Sequence, residues 1–193
     1  MRRLVHFALP ASAFALLVAA AGCSSSGGTA SSASPSAGGA SASVSVSASP
    51  TSSASASSPQ AQAALAAYRG MIADWTAAGL TANYQDPALA HHMSGSALSQ
   101  VTRHLYVEKT EGAVVRGTPQ LLDVTFGQMV PASNPTEIVI NSCVDTSSWL
   151  EYTTDGHLYN NVAGGKRKTQ VLVVSQNNTW KVDQLAMNAV GTC

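Results

Sequence analysis

The sequence predicts an α+β domain, and three features carry that prediction. Apolar residues recur at helical spacing between residues 59 and 111. From about residue 120 the pattern switches to period-two alternation, and an Asn-Asn pair separates two β-rich runs near the end. Helices followed by an antiparallel meander place the helices over one face of a curved sheet.

Each element has its own signal. Ser58-Pro59 reads as a helix N-cap followed by proline at the first helical position. Leu65, Tyr68, Ile72 and Trp75 then form one buried stripe with Met71 alongside, and Gly79 is placed to end the helix. Asp86-Pro87 repeats the start signal for a short helix over residues 88–93. A third helix, from about residue 96 to 111, turns Leu98, Val101 and Leu105 inward and stops at Gly112. In the strand over 122–130, alternation assigns Leu122, Val124, Phe126, Gln128 and Val130 to one face and Asp123, Thr125 and Gly127 to the other. Residues 137–145 and 149–153 read as further strands. Residues 169–175 and 179–187 form a hairpin about Asn177-Asn178, because asparagine tolerates the positive φ of a tight turn.

The chain ahead of this domain reads as an address and a tether. Arg2 and Arg3 precede a largely apolar run to Ala21, broken by His6 and Pro10 and closed by small residues. That is the pattern of a secretory signal peptide. It is marginal for a permanent span, which needs about 20 predominantly apolar residues. Ala20-Ala21-Gly22-Cys23 resembles the bacterial lipobox, with Ala20 where leucine is favoured, so residues 1–22 are expected to be a lipoprotein signal peptide and Cys23 the lipidated residue. Residues 23–58 form a Ser/Ala-rich linker with no charged side chain. Such a composition buries too little apolar surface to offset the entropy of ordering. Its coil span of roughly 30–35 Å would hold a domain clear of a membrane.

Residues 59–193 are the size of one small domain. Their eight Lys and Arg face ten carboxylates, a balance that excludes a nucleic-acid partner on electrostatic grounds. With Cys23 assigned to a lipid, Cys143 and Cys193 remain as a pair, expected as a disulfide in an exported protein. Neither is followed by a histidine or acid at a zinc-like spacing.

Several short strings are similar to those of secreted lipoproteins of high-GC Gram-positive bacteria with an NTF2-like (SnoaL-like) domain. They are Ala67-Tyr68-Arg69, Asp86-Pro87-Ala88-Leu89, Gly95-Ser96-Ala97-Leu98, Arg116-Gly117-Thr118-Pro119, Cys143 to Trp149, Trp180-Lys181-Val182 and Cys193. The resemblance implies a cone with a mainly apolar pocket between the helices and a concave sheet. Enzymes of this fold often set an aspartate or histidine in that pocket as base or hydrogen-bond donor.

Tyr68, Trp75, His91 and Trp149 are the residues expected at the pocket. Asp123, mid-strand among apolar neighbours, is the first candidate base, although strand parity turns it away from the Val124–Phe126 face. Asp145 is the second, with ordering of the turn at Thr146-Ser147-Ser148 as its simpler role. No metal and no cofactor are expected. His91 and His92 diverge by about 100° on a helix, and no recognisable carboxylate pattern accompanies them or His104. Lys166-Arg167-Lys168 reads as a solvated loop tip.

The function expected is that of a lipid-anchored protein at the extracytoplasmic face of the cell membrane. Its domain would bind an envelope protein or a small apolar ligand without catalysis. The alternative is an isomerase- or dehydratase-like enzyme with Asp123 as base, and a third possibility is a passive part of an envelope assembly. Mass spectrometry of the mature protein is expected to find Cys23 at the N-terminus carrying acyl mass; a bare Cys23 would remove the anchor.

Overall fold

The structure, a computed structural model, describes residues 56–193. The expected signal peptide, Cys23 and the linker as far as residue 55 lie outside the described residues.

Ser58 opens helix α1 (Pro59–Gly79), with the Ala61 N–H donating to Ser58 Oγ at 3.1 Å and Pro59 at the first position. Leu65, Tyr68, Met71, Ile72 and Trp75 are all buried, forming the helix's inner stripe. Gly79 itself serves a close approach rather than a left-handed stop, because a Cβ there would lie 3.2 Å from Val115 Cβ. The positive φ falls on Ala82 instead. Helix α2 (Leu89–His92) is a single turn, and α3 (Gly95–Glu111) ends at a left-handed Gly112. Among the described residues no helix is long and apolar enough to cross a membrane.

Six strands follow: β1 (Ala113–Arg116), β2 (Gln120–Val130), β3 (Glu137–Asp145), β4 (Leu150–Thr153), β5 (Lys166–Gln176) and β6 (Thr179–Met187). The order β2-β3-β5-β6 forms an antiparallel sheet, and β1 pairs with β4 as a separate ribbon. The sequence reading missed β1 and began β5 three residues late. Asn177 and Asn178 both take positive φ (50° and 62°) in the β5–β6 turn, as a tight hairpin demands.

The parity assigned to β2 needs correction. Register shifts between Leu122 and Thr125 and between Phe126 and Met129 mark two bulges, each adding one residue against β3. The residues that reach the core are therefore Leu121, Val124, Phe126 and Met129, spaced three, two and three apart. Gln128 and Val130 lie outward, against the expectation. Asp123 falls in the first bulge at φ 49° and is solvent-exposed.

The core lies between α1 and α3 and the inner sheet face, where Ile138, Ile140, Val171, Val173 and Val182 are fully buried. Tyr68 is wholly buried among them, and its hydroxyl meets Ser142 Oγ at 2.9 Å. Burial pushes the Tyr68 hydroxyl pKa up to about 12, so it stays protonated at any physiological pH.

On the opposite sheet face Cys143 is bonded to Cys193, with Cα atoms 6.0 Å apart. The segment leading there is pinned to the start of β5 by Asn188 N–H to Lys168 O (2.9 Å) and Gly191 N–H to Lys166 O (2.7 Å). The 50-residue separation gives about 4 kcal/mol of stabilisation in the chain-entropy account. A C143S/C193S variant is accordingly expected to lose about 2–4 kcal/mol in urea unfolding; an unchanged midpoint would show that the bridge contributes nothing to stability.

Candidate functional site

Where α1 and α3 splay from the sheet, a cavity of about 370 Å³ opens toward β1, β4 and the β4–β5 loop. Its apolar wall comes from Trp75, Val101, Trp149, Leu185 and Met187. Its polar wall comes from His104, Glu151, Asn160 and Arg167.

The position of Trp149 is set by the turn before it. Thr146 is locked to Gly165 by reciprocal bonds, Thr146 N–H to Gly165 O at 3.0 Å and Gly165 N–H to Thr146 Oγ1 at 3.1 Å. Trp149 N–H then donates to Thr146 O at 3.0 Å. Two glycines admit this turn: a Cβ on Gly117 would strike Ser148 O, and one on Gly164 would strike Thr146 O. The Trp149 ring meets Trp75 edge-on, with centroids 4.9 Å apart, and Trp75 meets His104 in the same manner at 5.9 Å. Such T-shaped contacts fix ring orientation as well as adding burial.

A second cluster stands beside the aromatic one. His104 and Glu108 lie one turn apart on α3, with His104 Nε2 3.1 Å from Glu108 Oε1. His104 is 45% exposed and Glu108 only 3%, so the imidazole stands at the mouth of a buried carboxylate. The Glu108 contact raises the His104 pKa; burial opposes this, and the charges of Glu108 and Glu151 reinforce it. Glu151, on β4, accepts from Asn160 Nδ2 at 2.7 Å through Oε2. Among the described residues neither Glu108 oxygen has an aligned hydrogen-bond donor, and the buried N–H groups Trp75 Nε1, Trp149 Nε1 and Arg167 Nε find no acceptor.

Of the residues expected here, Trp75 and Trp149 line the cavity. Tyr68 belongs to the dry core, committed to Ser142. His91 is exposed on α2 and lines no part of the cavity, while its neighbour His92 pairs through Nδ1 with Asp74 Oδ2 at 2.7 Å. Asp123 sits on the far side of the sheet, in a shallow hollow shared with Lys168 and Cys193, so it is no base for this cavity. Asp145 accepts from Ser147 N–H (2.9 Å) and Ser147 Oγ (2.6 Å), which lowers its pKa and orders the turn.

The sequence reading gave four site residues no role in the cavity. The four-residue spacing of His104 and Glu108 was a visible signal, since it sets both on one helix face. Arg167 is no loop tip: it precedes Thr169, Val171 and Val173 at period two, which turns it inward on β5. Glu151 had no local signal, because only the β1–β4 ribbon brings it to α3.

A raised folded-state pKa stabilises the fold fully below the unfolded value and loses that contribution as pH rises through the folded value. NMR titration should place the His104 midpoint above the ordinary 6.5, and E108Q should lower it; an E108Q midpoint equal to wild type would remove Glu108 as the cause.

No family model matches the chain, and no curated protein does either. Among solved structures, the intermembrane space region of the chloroplast protein ARC6 is 14% identical, with a TM-score of 0.37 over 65% of this chain and 96% of that one. A de novo β-sheet design is 13% identical, at 0.36 over 68% and 91%. An NTF2-like protein of unknown function from Pseudomonas putida KT2440 is 14% identical, at 0.36 over 66% and 87%. Likenesses of this degree assign no function, and the chemistry of the site rests on its own residues.

Proposed function

We propose that residues 59–193 form an NTF2-like cone that binds a small ligand with an apolar body and oxygen acceptors, held at the extracytoplasmic face of a membrane by a lipid on Cys23. One observation carries the ligand class. Trp75, Trp149 and Arg167, whose buried Nε–H groups find no acceptor among the described residues, all contribute to the wall of one cavity, beside Val101, Leu185 and Met187. A buried donor left unpaired costs about 1–3 kcal/mol, which an acceptor on a ligand offsets. The cavity volume falls in the range usual for small-molecule sites. The order of helices and strands and the sequence strings quoted above support the cone. The Cys143–Cys193 bond supports an oxidising compartment, as an exported protein meets.

A second reading, an isomerase- or dehydratase-like enzyme, draws on the His104–Glu108 pair in the cavity wall, in place of Asp123. A pair of this kind has the groups for proton transfer.

Native mass spectrometry of the exported protein, after exposure to a small-molecule extract of cell envelope, is expected to show one ligand bound per chain. R167M should weaken it about ten- to a hundredfold, the loss of one charge-assisted hydrogen bond. Equal occupancy in R167M would overturn the assignment of the cavity. Recovery of the ligand unaltered after incubation favours binding, and its conversion favours the second reading.

A further inference from the structure

We propose that His104, Glu108 and Glu151 form a binding site for one divalent first-row transition-metal ion in the wall of the cavity. The proposal is independent of the ligand reading and stands on other atoms.

Geometry is the first support. One ligand atom from each residue lies within 4.8 Å of the other two. His104 Nε2 and Glu108 Oε1 are 3.1 Å apart. Two ligands bound to one ion at about 2.0–2.2 Å stand roughly 2.8–3.6 Å apart for angles of about 90–109°, so this pair is already at a ligating separation and Glu151 needs a modest approach.

The state of Glu108 is the second support. Its carboxylate is 3% exposed, and neither oxygen receives an aligned hydrogen bond. Among the described residues, no Lys or Arg pairs with Glu108 or Glu151. A carboxylate so deeply buried calls for a cation or a set of donors, and among the described residues its ion-pair partner is the His104 imidazole. Two carboxylates sharing one imidazole are therefore matched by a dication better than by a proton.

The surroundings hold the ligands in place. His104 and Glu108 come from adjacent turns of α3, a rigid element, and Trp75 abuts the His104 ring edge-on. Asn160 Nδ2 fixes Glu151 through Oε2, the kind of outer contact that orients metal-binding carboxylates. His104 and Glu151 both line the cavity, so further coordination positions would face it. Three protein ligands with open positions is the arrangement of reactive rather than structural zinc sites. An imidazole in the set favours zinc, iron or a neighbouring ion over magnesium or calcium.

The test uses the exported protein with its disulfide intact and Zn2+ as the probe. Calorimetric titration at neutral pH is expected to show one equivalent bound, and the His104 ring resonances to shift while those of His92 stay still. H104A and E151Q should each weaken binding at least about tenfold, and N160A about tenfold. H92A, which breaks only the pair with Asp74, should leave binding unchanged. Glu151 lies at the cavity wall rather than in the core, so E151Q keeps the test valid if E108Q disturbs packing; circular dichroism checks each variant. Absence of one-equivalent binding in wild type would overturn the site. So would wild-type affinity in both H104A and E151Q, loss of binding in H92A, or displacement of Zn2+ by millimolar Mg2+. None of these outcomes alters the native mass spectrometry result, so the two proposals fail separately.

Discussion

The hydrogen bond between Tyr68 and Ser142, made in a dry core, is the constraint on which the rest of the architecture depends. Tyr68 is fully buried and its hydroxyl finds Ser142 on the inner face of β3. This fixes how closely α1 can approach the sheet at that level. Trp75 lies seven residues further along the same stripe, two turns or about 10 Å up the helix axis. There Trp75 packs edge-on against Trp149 and His104, and the three rings together form part of the cavity wall. One stripe of a single helix thus packs against the sheet at one end and walls the cavity at the other.

The electrostatics of the site follow from that opening. The whole chain carries ten basic and ten acidic side chains, a balance that says little about any one place. Inside the cavity the signs are sorted by element. β5 supplies Arg167, α3 supplies His104 with Glu108 behind it, and β4 supplies Glu151. A mixed wall of this kind is costly to desolvate unless each group is matched, and several here are matched by no protein group.

Local features of the chain were legible in the sequence to the extent that local chemistry determines them. Ser58-Pro59, Gly112 and Asn177-Asn178 each act within a few residues, and each sits where its conformational preference predicts. Two of the failures involve information carried by another strand. Alternation along β2 cannot reveal where an extra residue is inserted against β3, so Gln128 and Val130 were turned the wrong way. Strand β1 is four residues long and is defined by pairing with β4, a partner 37 residues away. Glu151 reaches the site only through that pairing. His104 and Glu108 differ from these: their spacing was present in the sequence, and what was missing was the burial that gives it meaning.

The paired bulges of β2 have a consequence for how such a sheet changes in evolution. Each bulge shifts the inward frame by one, so the two together restore it, and Leu121 and Met129 keep the same parity on either side. Loss of the extra residue at either bulge would restore regular pairing there, leaving every inward side chain inward and removing only the local bend. The composition of the core and the curvature of the sheet are thus separable traits, and a lineage can flatten or bend the sheet while retaining the same set of buried residues.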